Sequence, residues 1–279
     1  MDRAIVVGID GSPTAWAALE WAAEDATRRN VPLRIVHVRE PWAAEHPLRA
    51  STDRETLTER DRRLLADAAE RARALAPEAR ITTALVIGAV VERLRTEAET
   101  ADTLVVGSRG LGGFAGLVLG SVGRGLAGHT RSSLVVIGTG PRERHDEVVV
   151  GYDGSPDADL AMEYAVRQAA ARGARLRALY GSRQPLVGAH PVGYGPVPVD
   201  DTAEIVRRLA LWREKHPEAG IVESIVHANP VPALAGASRT ADLVVVGTRG
   251  RGGFTAAVLG SVSTGVLHRS RCPVALIGH

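Results

Sequence analysis

The sequence predicts an α/β protein of two tandem doubly wound domains, each a five-stranded parallel sheet with helices on both faces. Two observations carry this. Short apolar, β-branched runs alternate with helix-length segments, the pattern of a parallel sheet covered on both sides. The whole pattern also occurs twice. VVGIDGSP from Val6 returns as VVGYDGSP from Val149, an offset of 143. VVGSRGLGGF from Val105 returns from Val245 as VVGTRGRGGF, and VLGSV from Val118 returns from Val258, both at an offset of 140. The motifs keep their order and the spacing drifts by only three residues, so the chain is a duplication. The polar stretch TGPRERHDE at 139–147 separates the copies. It divides the chain into domains at 1–140 and 145–279, each long enough for its own core.

The elements of the first copy follow in order. Residues 4–9 form a strand ending at the turn residues Asp10-Gly11-Ser12-Pro13. Ala15, Leu19, Ala22, Ala23 and Ala26 recur at helical steps, with Ser12 placed as N-cap and Pro13 in the first turn. Residues 33–38 are a second strand, and 53–76 a long charged helix closed by Pro77. Residues 81–87 are a third strand, 90–99 a helix and 103–107 a fourth strand. A glycine-rich loop precedes a helix over about 121–129, and a fifth strand runs over 134–138. The second copy repeats this with strands near 147–151, 175–180, 221–227, 242–247 and 273–278. Residues 181–199, with four glycines and four prolines, are a long loop, either a flap beside a ligand or a surface insertion.

Composition excludes several chemistries. The 279 residues carry 34 Lys+Arg and 32 Asp+Glu, so no polybasic tail is present. Lys215 is the sole lysine and lies in the charged run WREKHPE, which removes a P-loop and a Schiff-base lysine. Aromatic residues make up 4%, too few for a base-stacking RNA platform. Cys272 is the only cysteine, so there is no internal disulfide and no thiolate cage for zinc or iron–sulfur. The apolar run near the start is too short for a signal peptide, and no segment reaches the ~20 apolar residues that span a bilayer. The expectation is a cytoplasmic protein that avoids membranes and nucleic acid.

The repeated motifs fall at strand ends, where open parallel sheets bind ligands. Asp10 and Asp153 end the first strands, and the loops from Gly107 and Gly247 follow the fourth. If the first and fourth strands are neighbours, these elements share one crevice. Glycine lets successive backbone N–H groups converge on an anion, and the loop leads to a helix whose first turn has unpaired N–H groups. Ser121 adds a hydroxyl, and Arg109 or Arg249 a full charge. Hydrogen bonds to a charged group contribute roughly 1.5–3 kcal/mol each, and a micromolar ligand needs about 8 kcal/mol. Four or five such bonds suffice without lysine. A carboxylate facing phosphates is repelled unless it binds a sugar hydroxyl or a metal, so Asp10 and Asp153 are placed near a ribose or Mg²⁺. The edge of a nucleotide base would meet backbone near Val38 in one half and Tyr180 in the other.

The spacing G-x2-G-x9-G-S is met by Gly107, Gly110, Gly120 and Ser121, and again by Gly247, Gly250, Gly260 and Ser261. With the D-G-S turn it resembles the nucleotide loop of the universal stress protein family, over essentially the whole chain, in its tandem ATP-binding type. The resemblance implies an adenine nucleotide alpha hydrolase-like sheet binding ATP with Mg²⁺ in each half, and it alone implies that the base is adenine. Gly8 and Asp10, with Gly151 and Asp153, would border the adenosine. Gly107, Ser108, Arg109, Gly110, Leu111, Gly112 and Gly113 would wrap ribose and phosphates, as would Gly247, Thr248, Arg249, Gly250, Arg251, Gly252 and Gly253. Ser121 with Val122, and Ser261 with Val262 and Ser263, would hold the phosphate end. The first half departs from the family pattern at Gly123, Gly128 and Ser132-Ser133, where the second keeps a serine, a histidine and Cys-Pro.

The remaining reactive types have plainer readings. His268 and His129 are helix C-terminal charge partners. Cys272 is a buried inert thiol, and the charged residues of 53–70 are a solvated helix face. Trp16, Trp21 and Trp212 are packing residues, while Trp42 sits in a ligand-side loop. No general base is positioned at the loops, so any ATP hydrolysis is slow. The leading reading is a nucleotide-dependent stress-response regulator. Its competitors are an adenylyl-transfer or ATPase enzyme and a nucleotide-free assembly scaffold. The terminal strands are apolar edges that must pair, either between the halves or across a homodimer.

Overall fold

The computed structural model describes residues 3–41, 53–110, 120–128, 132–138, 143–181, 202–251 and 259–278, with side chains omitted for 53–57. The first copy runs β1 (Ile5–Gly8), α1 (Pro13–Arg29), β2 (Leu33–Arg39), α2 (Asp53–Leu75), β3 (Ile81–Ile87), α3 (Val90–Thr100), β4 (Thr103–Gly107), α4 (Ser121–Leu126) and β5 (Ser133–Ile137). The second runs β6 (Glu147–Gly151), α5 (Pro156–Arg172), β7 (Arg175–Gly181), α6 (Thr202–Lys215), β8 (Val222–Val226), α7 (Pro230–Ala237), β9 (Leu243–Gly247), α8 (Ser261–Arg269) and β10 (Val274–Ile277), with a 3-10 turn at Pro217–Ala219.

Each copy orders its strands 3-2-1-4-5, and the described strands join in one sheet, β3-β2-β1-β4-β5-β10-β9-β6-β7-β8. All pairings are parallel except one: β5 and β10 run antiparallel, Val135 opposite Ala275. The terminal edges therefore cover each other within the chain, which removes two exposed apolar edges at once. Strands nearest this seam are buried on both faces, as in Leu243–Gly247 and Val274–Ile277. Strands β3 and β8 form the outer edges and carry the polar residues that an edge requires.

Local chemistry explains the helices. Ser12 and Ser155 cap α1 and α5, accepting from the N–H of Ala15 and Ala158, with proline in the first turn. Both helices stop at a left-handed residue, Asn30 or Gly173. Helix α4 ends at Leu126, short of the expected 129, because its sequence SVGRGL holds two glycines and the chain turns at Gly128 with φ +76°. Helix α8 has one glycine in SVSTGVLHR and reaches Arg269. Helices α1, α2, α5 and α6 cover one sheet face, and α3, α4, α7 and α8 the other; both cores run through the two copies.

Candidate nucleotide site

Strand β1 lies parallel beside β4, and β6 beside β9, so the turn after the first strand meets the loop after the fourth. The reversal of strand order falls there, the place where doubly wound sheets leave a crevice. The turn is built by its own residues. Gly11 and Gly154 have φ of +85° and +74°, open to glycine without strain. The preceding carboxylate then folds over the turn: Oδ1 of Asp10 accepts from Ser12 N–H at 2.9 Å, and Oδ1 of Asp153 from Ser155 N–H at 3.0 Å.

The glycine loop packs on the other carboxylate oxygen. A Cβ on Gly110 would lie 2.5 Å from Oδ2 of Asp10, and one on Gly250 would lie 2.6 Å from Oδ2 of Asp153. No side chain fits between them. In the second half the N–H of Arg251 also donates to Asp153 Oδ2 at 3.2 Å. The loop is closed at its neck. Ser108 N–H donates to Ile137 C=O and Ser108 C=O accepts from Gly120 N–H, both at 2.7 Å. Thr248, Ile277 and Gly260 repeat this at 2.7 and 2.8 Å. The chain thus leaves and re-enters the sheet through one pinched gate. At that gate helices α4 and α8 begin without a side-chain cap, on Gly120 and Gly260. The uncapped first turn of α8 presents N–H groups and a partial positive charge to whatever lies over the loop.

The structure brings together Asp10, Gly107, Arg109, Gly110, Gly120, Ser121 and Val122, and in the second half Asp153, Gly247, Arg249, Gly250, Arg251, Gly260, Ser261 and Val262. Ser121 and Ser261 are exposed, and Val122 and Val262 half-buried. Gly8 and Gly151 end their strands against Leu94 and Leu234, below the crevice. Ser108 and Thr248 are buried in the neck, and the Thr248 hydroxyl donates to Asp157 Oδ2 at 2.8 Å. Ser263 is also buried, and its hydroxyl donates to Gly247 C=O at 2.6 Å, so that proton braces the strand end and is not offered to a phosphate. Leu111, Gly112, Gly113, Gly252 and Gly253 lie outside the described residues, as do His129, Trp42 and residues 182–199.

The two positions expected at the adenine edge are not equivalent. Ile9 N–H donates to Val36 C=O, and Tyr152 N–H to Leu179 C=O, which makes Val36 and Leu179 equivalent. The counterpart of Val38 is then Gly181, and that of Tyr180 is His37. Val38 and Tyr180 consequently pack on opposite sheet faces. His37, unmarked by any sequence motif, contacts Ile9 C=O at 2.8 Å and Asp61 at 3.1 Å. Asp61 also pairs with Arg39 at 3.1 Å.

A metal held by the protein does not fit the donors. Among the described residues no three acidic, histidine or cysteine groups converge. The Asp153 carboxylate already accepts backbone N–H bonds on both oxygens. Asp10 and Asp153 lie against the loop in this geometry, and the Mg²⁺ role expected of them runs through water or phosphate and asks for no further protein ligand. Cys272 is half-buried, not fully buried as expected, and desolvation pushes its thiol up to about 12. His268 stands exposed in the last turn of α8.

Comparison with known proteins agrees with the duplication. The model of the universal stress protein family matches residues 1–138 and again 145–278. The chain belongs to the universal stress protein family. A universal stress protein of Mycobacterium tuberculosis strain H37Rv is 36% identical over 97% of this chain and 93% of its own length. A second from that strain is 34% identical over 97% and 95%. A universal stress protein of Archaeoglobus fulgidus has the same fold in a solved structure, with TM-score 0.72, 22% identity, and coverage of 99% and 96%. Among the described residues no helix is long and apolar enough to cross a membrane.

Proposed function

We propose that this universal stress protein is a nucleotide-dependent regulator that binds ATP in each half, with Mg²⁺ arriving on the phosphates as their counter-ion. One observation carries the reading: twice in the chain, a pinched glycine loop lies against an aspartate with no room for a side chain, at the β1/β4 and β6/β9 switch points. Two copies retaining that close approach argue for a backbone surface kept clear for a ligand, which a scaffold has no reason to keep. Gly110, Gly250 and the neck residues supply backbone donors, Arg109 and Arg249 supply charge, and Asp10 and Asp153 set the loop's position from below. Nothing at the loop, among the described residues, sets a histidine or a free carboxylate to activate water. Hydrolysis is then slow, and occupancy is the signal.

The test is calorimetric titration of ATP with Mg²⁺ into protein stripped of co-purified nucleotide. The expected result is two sites per chain, with one lost in Gly110→Val and the other in Gly250→Val. Absence of nucleotide in the preparation, and of binding at millimolar ATP, overturns the reading and leaves an assembly scaffold.

A further inference from the structure

The halves are copies, so their differences at one equivalent place are informative. At the offset of 143, the first-turn residue beneath the loop is Thr14 in one half and Asp157 in the other. Thr14 and Ser12 both donate their hydroxyls to the Arg109 carbonyl. Asp157 reverses the polarity. Its Oδ2 accepts from the Thr248 hydroxyl at 2.8 Å and from Arg249 N–H at 3.0 Å, and the Arg249 Nε lies 3.4 Å away. The carboxylate is 7% exposed, so water screens it little. It draws one loop N–H and part of the Arg249 charge towards the protein interior. Asp153 faces the same loop, but its counterpart Asp10 does so in the first half, and the two cancel in the comparison. Arg251 adds a positive charge with no counterpart; its guanidinium sits at the Gly154 turn, 3.0 Å from where a Cβ would be, beside Arg208 and within the field of Glu204. It lies on the α6 side, away from the neck that Asp157 underlies.

Resting on the nucleotide reading above, we infer that Asp157 makes the two sites unequal, the second half favouring ligands of lower phosphate charge. The first half takes nucleoside triphosphate, and the second discriminates less between triphosphate and monophosphate or prefers the latter. The chain would then report the ratio of adenine nucleotides and not the level of one.

The experiment measures ATP and AMP affinity, with and without Mg²⁺, at the second site in Gly110→Val and at the first in Gly250→Val. The second site's ATP-to-AMP affinity ratio is expected to be about tenfold below the first's, the scale of one partly paired charge acting through an effective dielectric of about 20. Asp157→Asn keeps the shape and removes the charge, so it raises the second site's ratio about tenfold; Thr14→Asp lowers the first site's. Should a blocking variant fail to fold, ATP/AMP competition in the otherwise unaltered chain, with and without Asp157→Asn, gives the same answer, since only half of the stoichiometry should move. Equal ratios at both sites, or an unchanged ratio in Asp157→Asn, refute the inference while leaving nucleotide binding standing. Failure of both nucleotides to bind the unaltered chain refutes the nucleotide reading itself.

Discussion

The seam between the halves offers a sharp energetic test. Helices α1 and α5 meet across it, and the offset of 143 makes Asp25 the counterpart of Gln168, Arg29 of Arg172 and Trp21 of Tyr164. Asp25 is fully buried. Its Oδ2 accepts from Gln168 Nε2 at 3.1 Å and lies 3.4 Å from Arg29, and its Oδ1 is 3.1 Å from Arg172. That last contact is ionic only, since its geometry is not that of a hydrogen bond. Arg172 also stacks on Trp21 at 5.4 Å, and Arg29 reaches Asp102 at 2.6 Å. One carboxylate therefore serves an arginine from each half, with an uncharged amide opposite it. Two aspartates at this place would set buried like charges face to face; two glutamines would leave Arg172 without its carboxylate and Arg29 with Asp102 alone. The seam is built for unlike halves. Asp25→Gln and Gln168→Asp, made singly, should each cost about 3 kcal/mol, the scale of breaking one side of a buried ion pair. The exchange of both residues restores one carboxylate and one amide between the same arginines and should return to within about 1 kcal/mol of the starting protein. Urea unfolding at pH 7, read by far-UV circular dichroism, measures all four corners of this cycle. A double variant losing about 6 kcal/mol, the additive result, would refute the argument, as would single variants within 1 kcal/mol of the parent.

The other expectations are quicker to check. All four tyrosines lie in the second half. Burial and the hydrogen bond to Asp159 push Tyr152 up to about 12, and burial with the Asp25 charge pushes Tyr164 higher still. Absorbance near 295 nm should thus show two tyrosines ionising late. Because their folded pKa values, and that of Cys272, exceed the unfolded ones, the stability they contribute is complete below about pH 9. It is lost as the pH rises from there towards 12. A thiol reagent at pH 8 should leave Cys272 untouched in the native protein and find one thiol in urea. Gly236→Ala in α7, with nothing within 4 Å of the new methyl, should stabilise by about 0.5–1 kcal/mol. Gly11→Ala, at φ +85°, should destabilise by about 1–2 kcal/mol in the same urea assay.

The fold was legible because its signals are local. Continuous apolar strands, the Ser12-Pro13 and Ser155-Pro156 starts and a repeat with constant motif order leave few sheets to choose from. The site's skeleton was legible for the same reason, since Asp10 and Gly110 stand at strand ends that the topology brings together. What stayed hidden depends on which way a side chain turns. Ser263 reads as a phosphate donor until its hydroxyl is found on Gly247. Val38 and Tyr180 both stand near the ends of their strands, yet the offset of 143 pairs Val38 with Gly181 and Tyr180 with His37, so strand alternation puts the two on opposite faces. The choice between domain pairing and a homodimer needed the β5–β10 register, because apolar edges state only that something must cover them.

The same two helices carry both the divergence of the sites and the specificity of the seam. Helix α1 begins under its loop at Thr14 and has Asp25 in its penultimate turn; helix α5 begins at Asp157 and has Gln168 at the matching place. At 1.5 Å per residue each pair is about 16 Å apart along a continuous helix. In a symmetric dimer of identical units, any substitution at a seam or a loop appears on both sides. Fusion of the copies lifts that constraint. Asp25 opposite Gln168 is possible only when the two positions are encoded separately, and so is a carboxylate under one loop with a hydroxyl under the other. Unequal sites and an unlike seam are thus two consequences of one duplication, and the swap at Asp25 and Gln168 tests the half of that argument that needs no ligand.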